Sequence, residues 1–221
     1  LNAPQDIVFG PNGNLFVSSI STNEVKQYNG ATGAFVSNFV TAGSGGLVNP
    51  HGLRFGTGGD LFVASNPTHE IKRYNGTTGA FISTFVSGGS GGLLSPHGIV
   101  FNGGDLYVAS NATHEIKRYN GTTGGFVANF VAAGSGGLSG PVGLTFGGSD
   151  NNLYVSSFNN DRVLAFDGAA GAFIGSFAPT GWGGLDGPRM LTFGPDGRLY
   201  VADHFSFQVL TTAATFVRQV V

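Results

Sequence analysis

Apolar positions in this chain fall in short runs of four to seven residues, cut by clusters of Gly, Asn, Asp and Pro. In one stretch, Leu53 to Phe55 is followed by Gly56-Thr57-Gly58-Gly59-Asp60, then Leu61 to Ser65, Asn66-Pro67-Thr68, and Glu70 to Tyr74. Asn75-Gly76-Thr77-Thr78-Gly79 then leads to Phe81 to Val86. Runs of this length between turn residues predict strands joined by hairpins. No segment keeps a 3.6-residue apolar period for three turns, so essentially no helix is expected.

The pattern repeats. Pro4, Pro50, Pro96, Pro141 and Pro188 open five units spaced 46, 46, 45 and 47 residues apart, and a period of this size marks a repeat architecture. The last run of a unit, Phe81-Ile82-Ser83-Thr84-Phe85-Val86, puts Phe81 and Phe85 on one face and Ile82 and Val86 on the other. A sheet apolar on both faces is covered on both. Five such sheets stacked about an axis give each the same neighbours. The expected fold is therefore all-β, a five-bladed β-propeller of four-stranded antiparallel blades. It is read as one domain over 1–221, with blades at about 1–49, 50–95, 96–140, 141–187 and 188–221.

Strand direction sorts the turns onto two rims. His51 and His97 begin first strands, His204 follows a second strand, and His69 and His114 precede third strands, so all five histidines are expected on one rim. The opposite rim carries Gly59-Asp60, Gly104-Asp105 and the Asn-Gly turns at Asn29, Asn75 and Asn120, which read as hairpin chemistry. The run Ala64 to Gly79 recurs almost unchanged from Ala109 to Gly124. On that duplication, His69-Glu70 and His114-Glu115 are read as polar surface pairs.

Asp196-Gly197-Arg198-Leu199-Tyr200-Val201-Ala202-Asp203 and Asn152-Leu153-Tyr154-Val155, followed by Arg162-Val163, carry a family likeness. With the Pro-x-Gly-[Leu/Ile]-x-Phe openings, the chain resembles the NHL-repeat family of β-propellers. The resemblance implies the fold and a range of roles, from binding platforms and scaffolds to a few enzymes. Family members commonly have six blades or more, so five implies either a small closed ring or part of a larger one. NHL-like amidating lyases bind a metal with histidines at the channel mouth, and virginiamycin-type lyases use a His and an acidic residue on such a rim. That likeness marks His51 and His97 as candidate ligands for a divalent metal. Gln5, Val142 and Arg189 stand at the equivalent positions, leaving two imidazoles where three are usual, with His204 a third only if it points inward.

Composition narrows the classes. With 10 Lys+Arg against 12 Asp+Glu and no basic cluster, the footprint of a nucleic-acid binder is missing. No apolar run reaches membrane-span length, and residues 1–4 carry no signal-peptide pattern. Cys is absent, which excludes disulfides and thiolate chemistry. Low charge and 39 glycines among 221 residues, with many Thr, Ser and Asn, point to an extracellular or cell-surface setting. There is no Gly-x-Ser-x-Gly, phosphate loop or His-Glu-x-x-His. The Ser-Gly-Gly segments at Ser44, Ser90 and Ser135 read as connectors between blades.

The expectation is a non-enzymatic module with no cofactor, binding a protein partner or copies of itself, with no catalytic residue assigned. Gln5, His51, His97, Arg189, His204, Asn66 and Asn111 are its candidate binding residues on the histidine rim. Phe216, Val217 and Val220 on the last strand are a candidate assembly edge, because an unpaired apolar strand invites strand addition and a homo-oligomer. Two alternatives stay open: a metal-dependent lyase or lactonase at the histidine rim, and a glycan-binding propeller with pockets between blades. Trp182 is the only Trp, which weighs against the second.

Overall fold

A computed structural model describes residues 1–147, 149–204, 207–210 and 216–220. The chain is a five-bladed β-propeller of four-stranded antiparallel sheets. Blade 1 comprises β1 (Pro4–Phe9), β2 (Leu15–Ser19), β3 (Glu24–Tyr28) and β4 (Phe35–Val40). Blade 2 comprises β5 (Pro50–Phe55), β6 (Leu61–Ser65), β7 (Glu70–Tyr74) and β8 (Phe81–Val86). Blade 3 comprises β9 (Pro96–Asn102), β10 (Asp105–Ser110), β11 (Glu115–Asn120) and β12 (Phe126–Val131). Blade 4 comprises β13 (Pro141–Phe146), β14 (Leu153–Ser157), β15 (Arg162–Phe166) and β16 (Phe173–Ala178). Blade 5 comprises β17 (Leu191–Phe193), β18 (Leu199–Ala202), β19 (Phe207–Leu210) and β20 (Phe216–Val220). Strand order within each sheet follows chain order.

The only helical segments among the described residues are single 3₁₀ turns. Four are the blade connectors: Ser44–Gly46, Ser90–Gly92, Ser135–Gly137 and Trp182–Gly184. The three Ser-Gly-Gly connectors thus form tight turns, and the space explains the sequence. Gly45 has φ +60°, and a Cβ there would run into the Phe81 ring, which lies across the turn. Gly91 under Phe126 and Gly136 under Phe173 repeat the arrangement.

The chain divides into two compact units, residues 1–106 with 119–127, and residues 107–118 with 128–221, so that the division passes through blade 3. In the first unit, Phe16, Val25, Phe39, Leu53, Leu61 and Tyr74 form a core between blades 1 and 2. Its aromatic contacts are edge-on: Phe16 to Phe55 and Phe62 to Phe101 both at 5.0 Å. The second unit uses the same register, with Tyr107 on Phe146 at 4.9 Å and Tyr154 on Phe193 at 5.1 Å. Edge-to-face aromatic pairs add about 1 kcal/mol each beyond burial.

A second device recurs at the connection between second and third strands. Asn23, His69, His114 and Asp161 are all held at positive φ, 55–59°. Each takes a backbone N–H at the start of the next blade: Asn23 Oδ1 from Asn49 (2.8 Å), His69 Nδ1 from Ser95 (3.1 Å), His114 Nδ1 from Gly140 (2.9 Å), Asp161 Oδ1 from Gly187 (2.8 Å). A backbone N–H only donates, so in each of these bonds the side-chain atom is the acceptor. This revises the reading of His69-Glu70 and His114-Glu115 as surface pairs. The histidines bind the next blade, while Glu70 pairs with Lys72 and Glu115 with Lys117, each at 2.8 Å.

Candidate functional site

The rim site of the first unit is made by a bulge. In β5, Pro50 faces Ser65 while Leu53 faces Val63, so three steps on one strand match two on the other. The extra residue falls at His51-Gly52, and bulges of this kind re-aim side chains. β1 has the same irregularity at Gln5-Asp6, and β13 at Val142-Gly143.

Gly52 brings β5 and β9 into close approach. A Cβ there would strike His97 O and come within 3.0 Å of the Gly98 Cα. Across this approach the His51 and His97 rings lie 4.1 Å apart, centroid to centroid, at 52°. His51 is buried and His97 half-buried. His69 sits at the same end of the strands, bonded to Ser95 just before Pro96. Gln5 is half-buried at the matching bulge of β1. Two imidazoles are half of a tetrahedral donor set, and no group of three or more His, Asp or Glu among the described residues converges to hold a metal ion.

Asp6 is the residue of this site that the sequence reading missed. It stands where Gly52, Gly98 and Gly143 stand in other blades. Its carboxylate is buried and accepts from Leu53 N (2.8 Å), Arg54 Nη1 (3.0 Å) and Ile7 N (2.9 Å). Burial pushes its pKa above the ordinary value of 3.8, against the opposing pull of Arg54 and the two backbone donors. A carboxyl raised in the folded state adds stability that is complete below the unfolded value and lost as pH rises through the folded one. Relative to Asp6→Asn, the wild type is therefore expected to gain stability as pH is lowered toward 3.8. Urea denaturation of both proteins across pH checks this; a difference that does not change with pH contradicts it.

The other candidates have structural employment. Asn66 Nδ2 donates to Pro96 O at 3.4 Å and Asn111 Nδ2 to Pro141 O at 3.2 Å, each tying its blade to the next. In the second unit, the Arg189 guanidinium lies 5.1 Å over the Phe158 ring, and the His204 ring is 6.2 Å from the same Phe. Arg189 O also accepts from Ser156 Oγ at 2.6 Å. Structure thus gathers Arg189 and His204 on Phe158, a residue the sequence did not single out. Phe216, Val217 and Val220 lie on β20, the outermost strand of its sheet, and their side chains fall outside the described residues.

At the hairpin ends lie clefts between neighbouring blades. One, about 470 Å³, is lined by Asp60, Phe62, Arg73, Phe101, Asn102 and Thr122. Arg73 reaches Asp60 at 2.6 Å and stacks on Phe62 at 5.7 Å, so the principal charges of the cleft are paired. Trp182 packs against the core of the second unit.

No protein-family model matches the sequence. No curated protein matches it either. Solved structures do match the fold. A chain from the structure titled as a nidogen/laminin complex aligns at TM-score 0.80 with 17% identity, over 99% of this chain and 80% of that one. A catalytically inactive variant of virginiamycin B lyase from Staphylococcus aureus, with quinupristin, aligns at 0.70 with 20% identity, over 98% and 69%. A streptogramin B lyase aligns at 0.71 with 17% identity, over 99% and 68%. At such identities the likeness shows the β-propeller fold and leaves the activity to be argued from the residues.

Proposed function

We propose that the protein is a non-enzymatic, extracellular or cell-surface propeller of NHL-repeat type that binds protein partners or copies of itself. One observation carries this reading. Each of blades 1 to 4 begins its outermost strand with a Phe followed by an aliphatic residue: Phe35-Val36, Phe81-Ile82, Phe126-Val127 and Phe173-Ile174. The aliphatic members are 50, 45, 48 and 55% exposed. Apolar surface repeated in this way marks an interaction surface more than a scatter of single exposed residues does. The nidogen chain comes from a protein complex, which agrees with a binding role without assigning one. Static light scattering tests the reading: wild type is expected to show net attraction, and the double variant Ile82→Asp with Val127→Asp net repulsion. Equal scattering of the two would overturn it.

A further inference from the structure

The cleft of about 470 Å³ lies wholly within the first unit, between the first hairpins of blades 2 and 3. It is open because blade 2 lacks a side chain that other blades have. The hairpin from β5 to β6 has the length and closing bond of those in blades 1 and 5: Gly56, Gly10 and Gly194 donate to the carbonyls of Asp60, Asn14 and Arg198. Inside the blade 1 and blade 5 turns stand Asn12 and Asp196, whose Oδ1 atoms accept from Asn14 N and Arg198 N, each at 3.1 Å. Asp150 does the same for Asn152 N at 3.0 Å in the longer hairpin of blade 4. Blade 2 has Gly58 in that place. Neither conformation nor packing asks for glycine there, since its φ is outside the left-handed region and a Cβ on it would meet nothing within 4 Å. The facing hairpin of blade 3 is one residue shorter, and a Cβ on its Gly103 or Gly104 would also meet nothing within 4 Å.

Polar groups with bonding capacity to spare line the space. Arg73 Nε and Nη2 both contact Asp60 Oδ2, at 2.8 and 2.6 Å. Asp60 Oδ1 and Arg73 Nη1 make no bond among the described residues. Exposed Thr57 and Thr122 add two hydroxyls, and the half-buried Phe101 ring, edge-on to Phe62 at 5.0 Å, supplies an apolar side.

This set selects a class of ligand. The carboxylate and the guanidinium neutralise each other, so the cleft favours neither an anion nor a cation. One oxygen remains to accept and one nitrogen to donate, beside an aromatic ring. A vicinal diol on a sugar ring meets all three: one hydroxyl donates to Asp60 Oδ1, its neighbour accepts from Arg73 Nη1, and the C–H face of the sugar packs on Phe101. Hydrogen bonds to ionised groups are the stronger kind, and the volume lies within the range of small-molecule sites, about 300–1,000 Å³. We propose that this cleft binds a neutral saccharide. The proposal places the saccharide alternative at one cleft and is independent of the association reading.

Saturation-transfer NMR of the whole protein tests it, with glucose, galactose, mannose and N-acetylglucosamine as probes and glucuronate and glucosamine as charged controls. At least one neutral sugar is expected to bind, and more tightly than either control. Gly58→Asn puts into blade 2 the residue that blade 1 carries at Asn12; it is expected to weaken binding at least tenfold while its urea midpoint stays at or above that of wild type, because the turn bond returns. Arg73→Gln, the residue of blade 1 at Gln27, is expected to weaken binding likewise. Wild type that takes none of the neutral sugars overturns the proposal, as does Gly58→Asn or Arg73→Gln binding as wild type does. Preference for a charged control overturns the assignment of a neutral ligand. Each of these outcomes leaves the association reading standing, since its test uses the outer strands.

Discussion

Gly143→Ala is expected to cost about 3 kcal/mol, the upper part of the usual overpacking range, while Gly175→Ala stabilises by about 0.5 kcal/mol. Both glycines lie in strands of blade 4, so chain context is shared. A Cβ on Gly143 would strike Arg189 O and come within 2.9 Å of the Met190 Cα. These are backbone atoms of the next blade, and they yield only if the strand moves. Moving it would disturb the Ser156 hydroxyl, which accepts from Gly143 N at 2.7 Å and donates to Arg189 O at 2.6 Å. A Cβ on Gly175 meets nothing within 4 Å, so the substitution only removes freedom from the unfolded chain. Urea midpoints at constant slope measure both effects. Shifts of the same sign would show that β13 and the start of blade 5 do not approach as described.

Glu115→Gln is the second large effect, expected at about 3 kcal/mol because it leaves a buried ammonium without its counter-charge. The Lys117 side chain is 1% exposed, and its Nζ meets Glu115 Oε2 at 2.8 Å and Asn129 Oδ1 at 3.0 Å. Burial works against the Glu115 carboxylate, and the Lys117 and Thr113 contacts outweigh it, so its pKa lies below the ordinary value. Replacing both partners, Glu115→Val with Lys117→Leu, is expected by contrast to stay within about 1 kcal/mol of wild type, since well-packed apolar replacements of buried ion pairs are often neutral. Blade 4 carries no such pair: Arg162 stands where Glu115 does, and Leu164, fully buried, stands where Lys117 does. Thermal or urea unfolding of the two proteins separates the cases. A Glu115→Gln variant as stable as the double replacement would mean that the ammonium reaches water.

The propeller was legible because strand length, turn residues and the spacing of five prolines all repeat. The site was legible only in outline. Period-two alternation places His51 and His97 at matching strand starts, but a one-residue bulge leaves no mark in that alternation, and the bulge sets where their rings point. Asp6 was overlooked although the aligned repeats carry a signal: it replaces glycine in the Pro-x-Gly opening, where the next strand comes too close for most side chains. The blade-to-blade acceptors were missed for the opposite reason. Comparing the two near-identical repeats made His69 and His114 look like copied surface residues, whereas Asn23 and Asp161 at the same position show that the common property is an acceptor atom.

On the reading proposed above, exposed apolar surface on the outer strands drives association, and the paired imidazoles of His51 and His97 do not. The most direct test is static light scattering of three proteins side by side: wild type, Ile82→Asp with Val127→Asp, and His51→Ala with His97→Ala. The expected result is attraction in the wild type and in the histidine variant, lost only when the outer strands are charged. Attraction lost with the histidines and retained with charged outer strands would contradict it.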